Sequence, residues 1–470
     1  MRPPILFRLA PPMLATSLLA ASLLAGCAVG PAYNVPATPA PFAFKEAAGW
    51  IAAAPADTLE RGPWWNLFND PVLTGLVQQV EVSNQNVAAA VASYAQARAL
   101  VAKQRASLFP QVSLNASGNR SGGRDADSSS NYRLNIGGSW EPDLWGRLRN
   151  GVTSARAGAA ASAADLAAAR LSAQGELAAN YFLLRQADAQ RALLVLTIEG
   201  YQRVGTIAKN RYEAGIVGKS DVLQAQTQLA NAQVDELALS RQRAQLEHAI
   251  AILIGKAPAE FSLASAPWTV NVPEIPAGVP ATLLQRRPDI ASAERRVAAA
   301  NAQIGIARAA YYPNIGLSGS VGSGGSKIGG LLSASTLLWS FGTSVAQSIF
   351  NAGASRASVA GAEAQHQVAV ARYRQTVLGA FGDVEDQLLA ARVLAQQQRL
   401  RRQASEAADQ VEQQMLNRYK AGQVGYTEVV QAQATALSAR RALVQSQADR
   451  QTTAVALIQS LGGGWQASLE

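Results

Sequence analysis

The phrase NRYEAGIVGKSDVLQAQ at 210–226 returns as NRYKAGQVGYTEVVQAQ at 417–433, roughly 205 residues further along the chain. A near-verbatim return at that spacing constrains the fold more than any other feature, because whatever one copy builds the other builds too. The correspondence extends beyond the phrase. RASLFPQVSLNASG (105–118) matches RAAYYPNIGLSGSVG (308–322), and the copies close on Leu253-Ile254-Gly255 and Ser460-Leu461-Gly462. Each copy contains a helix, two strand candidates and then two long helices. A solenoid needs shorter and more numerous units, so the chain reads as a tandem duplication, mainly α with β.

The strand candidates alternate with period two. Val112, Leu114 and Ala116 alternate with Ser113, Asn115 and Ser117; Tyr132, Leu134 and Ile136 alternate with Arg133, Asn135 and Gly137. In the second copy Ile315, Leu317 and Val321 alternate with polar or small residues, as do Trp339, Phe341 and Val345. This pattern is what a transmembrane β-barrel needs, with one face in lipid and one in a wet lumen; a half-buried soluble sheet is the alternative. The polar, glycine-rich stretches 118–131 and 322–330 are expected to be external loops. Four strands cannot close a barrel, since the smallest bacterial ones need about eight. Open strand edges in lipid would leave backbone groups unsatisfied, so a membrane-spanning reading requires self-association.

From about Arg147 to Lys209 there is no proline, which predicts a helix of some 90 Å at ~1.5 Å per residue. In the next segment Ala225, Ala232, Leu239, Leu246 and Leu253 fall seven apart with Leu229 between them, while Glu236 and Arg243 interrupt the companion register. Such a seam fits a tube, a rod or an ordinary helical bundle. Each repeated phrase lies between two long helices. Gly215 and Gly218, or Gly422 and Gly425, supply turn residues, and Ser220 or Thr427 is expected to cap the following helix. Each phrase is therefore expected to be the tip of a helical hairpin.

Composition excludes several classes. One cysteine (Cys27) and two histidines (His248, His366) leave no metal-ligand cluster and no disulfide. The net charge of +9 comes from arginines scattered among acidic residues, without interleaved aromatics, and reads as solvated helix faces rather than a nucleic-acid site. No nucleophile-and-base arrangement or phosphate loop can be assembled, so no enzyme and no cofactor is expected.

The N-terminus has a basic start (Arg2, Arg8), an apolar stretch and Leu24-Ala25-Gly26-Cys27, which resembles a bacterial lipobox with Cys27 as the lipidation site. Ala28 at the next position implies delivery to the outer membrane. The Pro- and Ala-rich segment that follows reads as an extended tether. The expected division is 1–26 signal peptide with lipobox, 27–62 lipid-anchored extended segment, 63–256 first repeat with its tip near 210–221, 257–280 linker, and 281–470 second repeat with its tip near 417–428.

The lipobox, WWNLFNDPVL (64–73), EPDLWGR (141–147), QRRPDI (285–290), RAAYYPNI (308–315) and both tip phrases, in this order, resemble the TolC/OprM-type outer membrane factors, in particular the NodT-like lipoprotein branch. The resemblance covers essentially the whole mature chain. It implies a homotrimer whose chains each give four strands to a twelve-stranded outer-membrane barrel, continued by a periplasmic α-helical tunnel. It also implies passive exit of small toxic compounds, through a periplasmic adaptor (membrane fusion) protein and an inner-membrane transporter of the RND type. Alternatives of related design are the duct of a type I protein secretion system and a non-conducting coiled-coil lipoprotein. Gly215, Val217, Gly422 and Val424 match positions assigned to adaptor docking, although the glycines also serve the turn. Tyr419 and Asp221 match an entrance latch whose assisting arginine is replaced here by Val424. Glu428 and Gln431 match gate positions, Glu428 being equally suited to a helix N-terminus and Gln431 standing where relatives often carry Asp. Arg287-Pro288-Asp289 reads as a helix start with no transport role.

Overall fold

The computed structural model describes residues 29–38, 41, 43–47, 63–124, 126–268, 270–273, 275, 287–331 and 333–463. The signal segment, the lipobox and Cys27 lie outside the described residues, as do 48–62 and 276–286. The main elements are α1 (Pro71–Ser83), α2 (Gln85–Ala106), β1 (Gln111–Gly123), β2 (Ala126–Trp140), α3 (Arg147–Glu213), α4 (Lys219–Leu253), α5 (Pro288–Ala309), β3 (Asn314–Gly325), β4 (Leu337–Ala346), α6 (Ala354–Lys420) and α7 (Tyr426–Ser460). The copies match in length: α3 and α6 have 67 residues each, α4 and α7 have 35 each. Among the described residues the first copy begins with two helices, α1 and α2, and the second with α5. Asn84 breaks the chain there: its side-chain oxygen accepts from the Asn86 and Val87 amides at 2.9 and 3.0 Å, and its amide donates to the Leu253 carbonyl at 2.8 Å.

Two compact units divide the chain. The first comprises Met1–Ala37, Ser93–Ala163 and Ser292–Arg374; the second comprises Thr38–Ala92, Ala164–Ala291 and Gln375–Glu470.

The first unit holds an antiparallel sheet in the order β1-β2-β3-β4. Its register places large apolar residues opposite one another: Leu114 faces Ile136, Ile136 faces Val321, and Val321 faces Trp339. Ser113, Asn115, Asn135, Ser320 and Ser340 fall on the other face by alternation. The apolar face is open, with Leu114 68%, Trp339 79% and Phe341 70% exposed. The expected loops are partly strand, although 326–330 is irregular as expected. β1 and β2 continue pairing through Asn119↔Asn131 and Ser121↔Ser129, and β3 runs to Gly325. Ladder bonds belong to the backbone and need no apolar side chain, so the pairing outlasts the apolar band. At the other end of the sheet the motifs of both copies meet. Asp143 caps α3 by accepting from the Leu148 and Arg149 amides at 2.9 and 2.8 Å, while Trp145 stacks on Tyr312 at 4.9 Å and donates to the Pro313 carbonyl at 2.7 Å.

In the second unit Trp64, Trp65 and Phe68 are buried, with Phe68 4.9 Å from Phe182. Asp70 caps α1 and accepts the Tyr181 hydroxyl at 2.6 Å. The charges that interrupt the heptad register are paired: Glu236 with Arg191 at 2.8 Å, and Arg243 with the buried Asp188 at 2.7 Å. Asp188 also meets the buried Arg185 at 3.2 Å. Removing one member of such a group would strand a buried charge at several kcal/mol. The seam itself is packed, with Ala225, Ala232, Leu239 and Leu253 buried and Leu246 half-buried. Arg287 joins Asp289 at 2.7 Å, Asp383 at 3.1 Å and the Ser460 carbonyl at 3.2 Å, so it anchors the start of α5 to α6 and to the end of α7.

Candidate functional site: the paired hairpin tips

Both repeated phrases form helical hairpin tips by the same backbone device. The Gly215 amide donates to the Tyr212 carbonyl at 2.9 Å and the Ile216 amide to the Arg211 carbonyl at 2.8 Å. In the second copy Gly422 donates to Tyr419 and Gln423 to Arg418, both at 2.9 Å. This closure requires a left-handed residue, and Gly215 (φ +72°) and Gly422 (φ +75°) supply it. The next helices begin earlier than expected. Their cap positions are Gly218 and Gly425, in extended conformation and without side-chain capping, so Ser220 and Thr427 are already helical. The extended backbone that a cap needs falls on the glycine that leaves the turn. Gly425 also leaves room for Glu428: a Cβ at 425 would come within 3.0 Å of its carboxylate, which lies against the first turn of α7 where the helix dipole favours a negative charge.

The two tips of one chain pack together. Val204 and Ala208 of α3, Ala225 of α4, Tyr419 of α6, and Tyr426 and Val429 of α7 form a buried cluster, bordered by Ile207, Leu416, Val424 and Val430. The Tyr419 and Tyr426 rings lie 5.5 Å apart and tilted. Neither hydroxyl makes a well-formed hydrogen bond among the described residues. Burial pushes both phenols up, Tyr426 to about 12 with further repulsion from Tyr419, Tyr201 and Asp221. For Tyr419 the Arg211 charge opposes the rise that burial imposes, and the Asp221 charge adds to it.

Arg211 is the tip residue that the sequence reading missed. Its guanidinium lies 4.7 Å over the Tyr419 ring and donates to the Tyr419 carbonyl at 2.9 Å. It thus reaches from the end of α3 onto the end of α6, where a cation meets a helix-terminal carbonyl, which also accepts from the Gly422 amide, and the negative end of the helix dipole. A signal existed in the cationic residue that precedes each tip tyrosine.

The other expected site residues fall as follows. Tyr419 and Asp221 share the tip region but no hydrogen bond joins them; Asp221 accepts from Ser220 at 3.4 Å. Val217 and Val424 are half-buried, Val424 against the cluster, whereas Gly215, Gly422 and their neighbours Ile216 and Gln423 are exposed. Glu428 and Gln431 are exposed and line a shallow groove with Ala408, Val411 and Met415 of α6.

A four-stranded sheet with an open apolar face is the kind that further copies complete in a membrane, and the same duplicated chain carries a pair of packed helical hairpin tips. Residues 76–256 and 279–463 match the family model of the outer membrane efflux proteins, and the chain belongs to that family. It is 32% identical over 461 residues to the solvent efflux pump outer membrane protein SrpC of Pseudomonas putida, covering 96% of this chain and 98% of that one. It is 30% identical over 451 residues to the cation efflux system protein CusC of Escherichia coli O6:H1, covering 94% and 97%. Among solved structures it resembles the outer-membrane channel OprN with a TM-score of 0.86 at 32% identity, covering 94% of this chain and all of that one. The protein is thus an outer membrane efflux channel component.

Proposed function

We propose that three copies join their sheets edge to edge into a twelve-stranded barrel and serve as the passive exit duct for small toxic compounds. The observation that carries this reading is the sheet, whose apolar face is exposed and whose β1 and β4 each pair on one side only among the described residues. Two further copies satisfy both edges and place the Asn- and Ser-rich face toward a wet lumen. Cys27 carries the lipid anchor. Growth with a labelled fatty acid labels the protein, and Cys27→Ser abolishes the label.

The exposed tips receive a periplasmic adaptor that couples the duct to an inner-membrane pump of the RND type. Gly215 and Gly422 shape the contact, Val217 and Val424 brace it from within, and Tyr419 with Asp221 belongs to the closed entrance. Glu428 and Gln431 line the constriction. Relatives carry names as different as solvent efflux and cation efflux, which supports a duct of generic lumen with selectivity held by the pump. Photo-crosslinking in living cells from Ile216 and Gln423, followed by mass spectrometry, tests the coupling. Capture of the adaptor of a proton-driven drug or metal pump is the expected result; capture of a protein exporter's adaptor, or of none, overturns it.

A further inference from the structure

The register of the β1–β2 hairpin puts one arginine where a barrel strand ordinarily carries none. Paired positions on the apolar face run Val112–Gly138, Leu114–Ile136, Ala116–Leu134, Gly118–Tyr132 and then Arg120–Ser130. The Tyr132 ring lies across Gly118, where a Cβ would approach it to 3.0 Å. Arg120 therefore continues the lipid-facing row one rung beyond an aromatic residue. Arg133, by contrast, pairs with Ser117 on the opposite face.

Both neighbours fix the depth of Arg120. Aromatic residues mark the membrane interface in outer-membrane barrels, and a lipid-facing arginine costs about 2–4 kcal/mol at the midplane but about 0–1 near the interfaces. From Val112 to Arg120 is eight residues, about 27 Å along a strand and some 20 Å after tilt, close to the height of the apolar band. The row is at headgroup level. Arg120 is exposed there, and its bond among the described residues is to the Ser128 hydroxyl at 3.2 Å. Ser130 stands directly across. Asp127 is on the other face by strand alternation. A guanidinium fork flanked by two hydroxyls on one face, with no carboxylate on that face among the described residues of the hairpin, suits a phosphate.

We infer that Arg120, with Ser128 and Ser130, binds the phosphate of a phosphorylated glycolipid headgroup in the outer leaflet. The inference rests on the barrel reading of the sheet. That reading is tested separately by a nitroxide at Leu114, which must collide with lipid-dissolved oxygen. The full-length protein in detergent is titrated with diphosphorylated lipid A, with its phosphate-free counterpart and with inorganic phosphate. The expected results are saturable binding of the first alone, a loss of about tenfold in Arg120→Gln, a smaller loss in Arg120→Lys, and no change in Arg133→Gln. Trimer mobility on a gel checks assembly of each variant, and Arg120→Lys carries the comparison if Arg120→Gln does not assemble. Unchanged binding in Arg120→Gln, an equal loss in Arg133→Gln, equal binding of the phosphate-free lipid or displacement by inorganic phosphate would each overturn the assignment.

Discussion

Tyr212 and Tyr419 hold the same place in the two tip phrases, yet Tyr212 is 43% exposed and Tyr419 is 1% exposed. Seven positions on, Lys219 is exposed where Tyr426 is buried. The backbones do not explain this, since both turns close with the same pair of amide bonds and the same left-handed glycine. The packing does. Two copies of one hairpin lying side by side in a single chain make a head-to-tail contact, in which one presents a face that the other does not. The first tip gives Val204, Ala208 and Ala225, the second gives its two tyrosines, and Arg211 closes over the joint. Duplication thus fixes the shape of both tips and leaves their side chains to diverge into socket and plug.

Truncating the plug breaks the pair most severely. Tyr419→Ala removes a buried aromatic and costs about 3–5 kcal/mol of local stability. Tyr212→Ala, at the equivalent exposed position, costs about 0.5 kcal/mol or less. Hydrogen exchange across residues 204–213 and 416–426 reads the difference directly. Exchange should quicken by two or more powers of ten in the first variant and hardly in the second; equal effects would mean that the two tips are interchangeable.

Arg211 gives the next largest effect. Arg211→Ala loses a charge-assisted bond to a helix-terminal carbonyl and the contact with the Tyr419 ring, together about 1.5–3 kcal/mol. Arg418→Ala, at the matching exposed position of the second copy, should stay within about 0.5 kcal/mol. Arg211→Lys keeps the charge without the planar fork and restores only part of the loss. Entrance opening, measured as single-channel conductance in planar bilayers, should rise in Arg211→Ala and not in Arg418→Ala.

These contrasts also show what the sequence could and could not convey. The period-two rows Val112-Leu114-Ala116 and Tyr132-Leu134-Ile136 disclosed which face of the sheet is apolar, because alternation is a one-dimensional signal. Helix length and the left-handed glycines were equally legible, being local. The strand ends were not: Asn119, Ser121 and Ser129 pair through backbone groups that composition does not report. Nor was the burial of Tyr419 against the exposure of Tyr212, since a repeated phrase predicts a repeated environment and only the contact between copies breaks that symmetry. Arg211 escaped for the same reason, as its partner lies 208 residues away.

The carboxylates sharpen the comparison at the proposed constriction. Glu428 is exposed on the groove it shares with Gln431, while its counterpart Asp221 is half-buried in the first turn of α4. Three symmetry-related Glu428 side chains would attract cations at the constriction with about 1 kcal/mol per pair of charges in water. Glu428→Gln should therefore lower cation over anion permeability severalfold, and Asp221→Asn should lower it less. Reversal potentials under a salt gradient decide between them, and an unchanged value in Glu428→Gln removes the ring.

The smallest effect at neutral pH belongs to Tyr426→Phe, and its pH dependence makes it informative. The Tyr426 hydroxyl is buried without a partner among the described residues, so deleting it removes a desolvation cost and should leave tip stability unchanged or slightly higher. At high pH the native residue behaves differently. Burial pushes its folded pKa up to about 12, above the ordinary tyrosine value of about 10, so the folded tip retains a proton that the unfolded tip releases. Where the unfolded state binds fewer protons, stability falls as pH rises. The contribution is therefore whole below pH ~10 and is lost between ~10 and ~12, as pH climbs through the folded value. Hydrogen exchange at the second tip should accelerate over that interval in the native protein and less so in Tyr426→Phe, leaving only the part owed to Tyr419. The same acceleration in Tyr426→Phe would place the titrating group elsewhere and remove Tyr426 from the account of why the two tips differ.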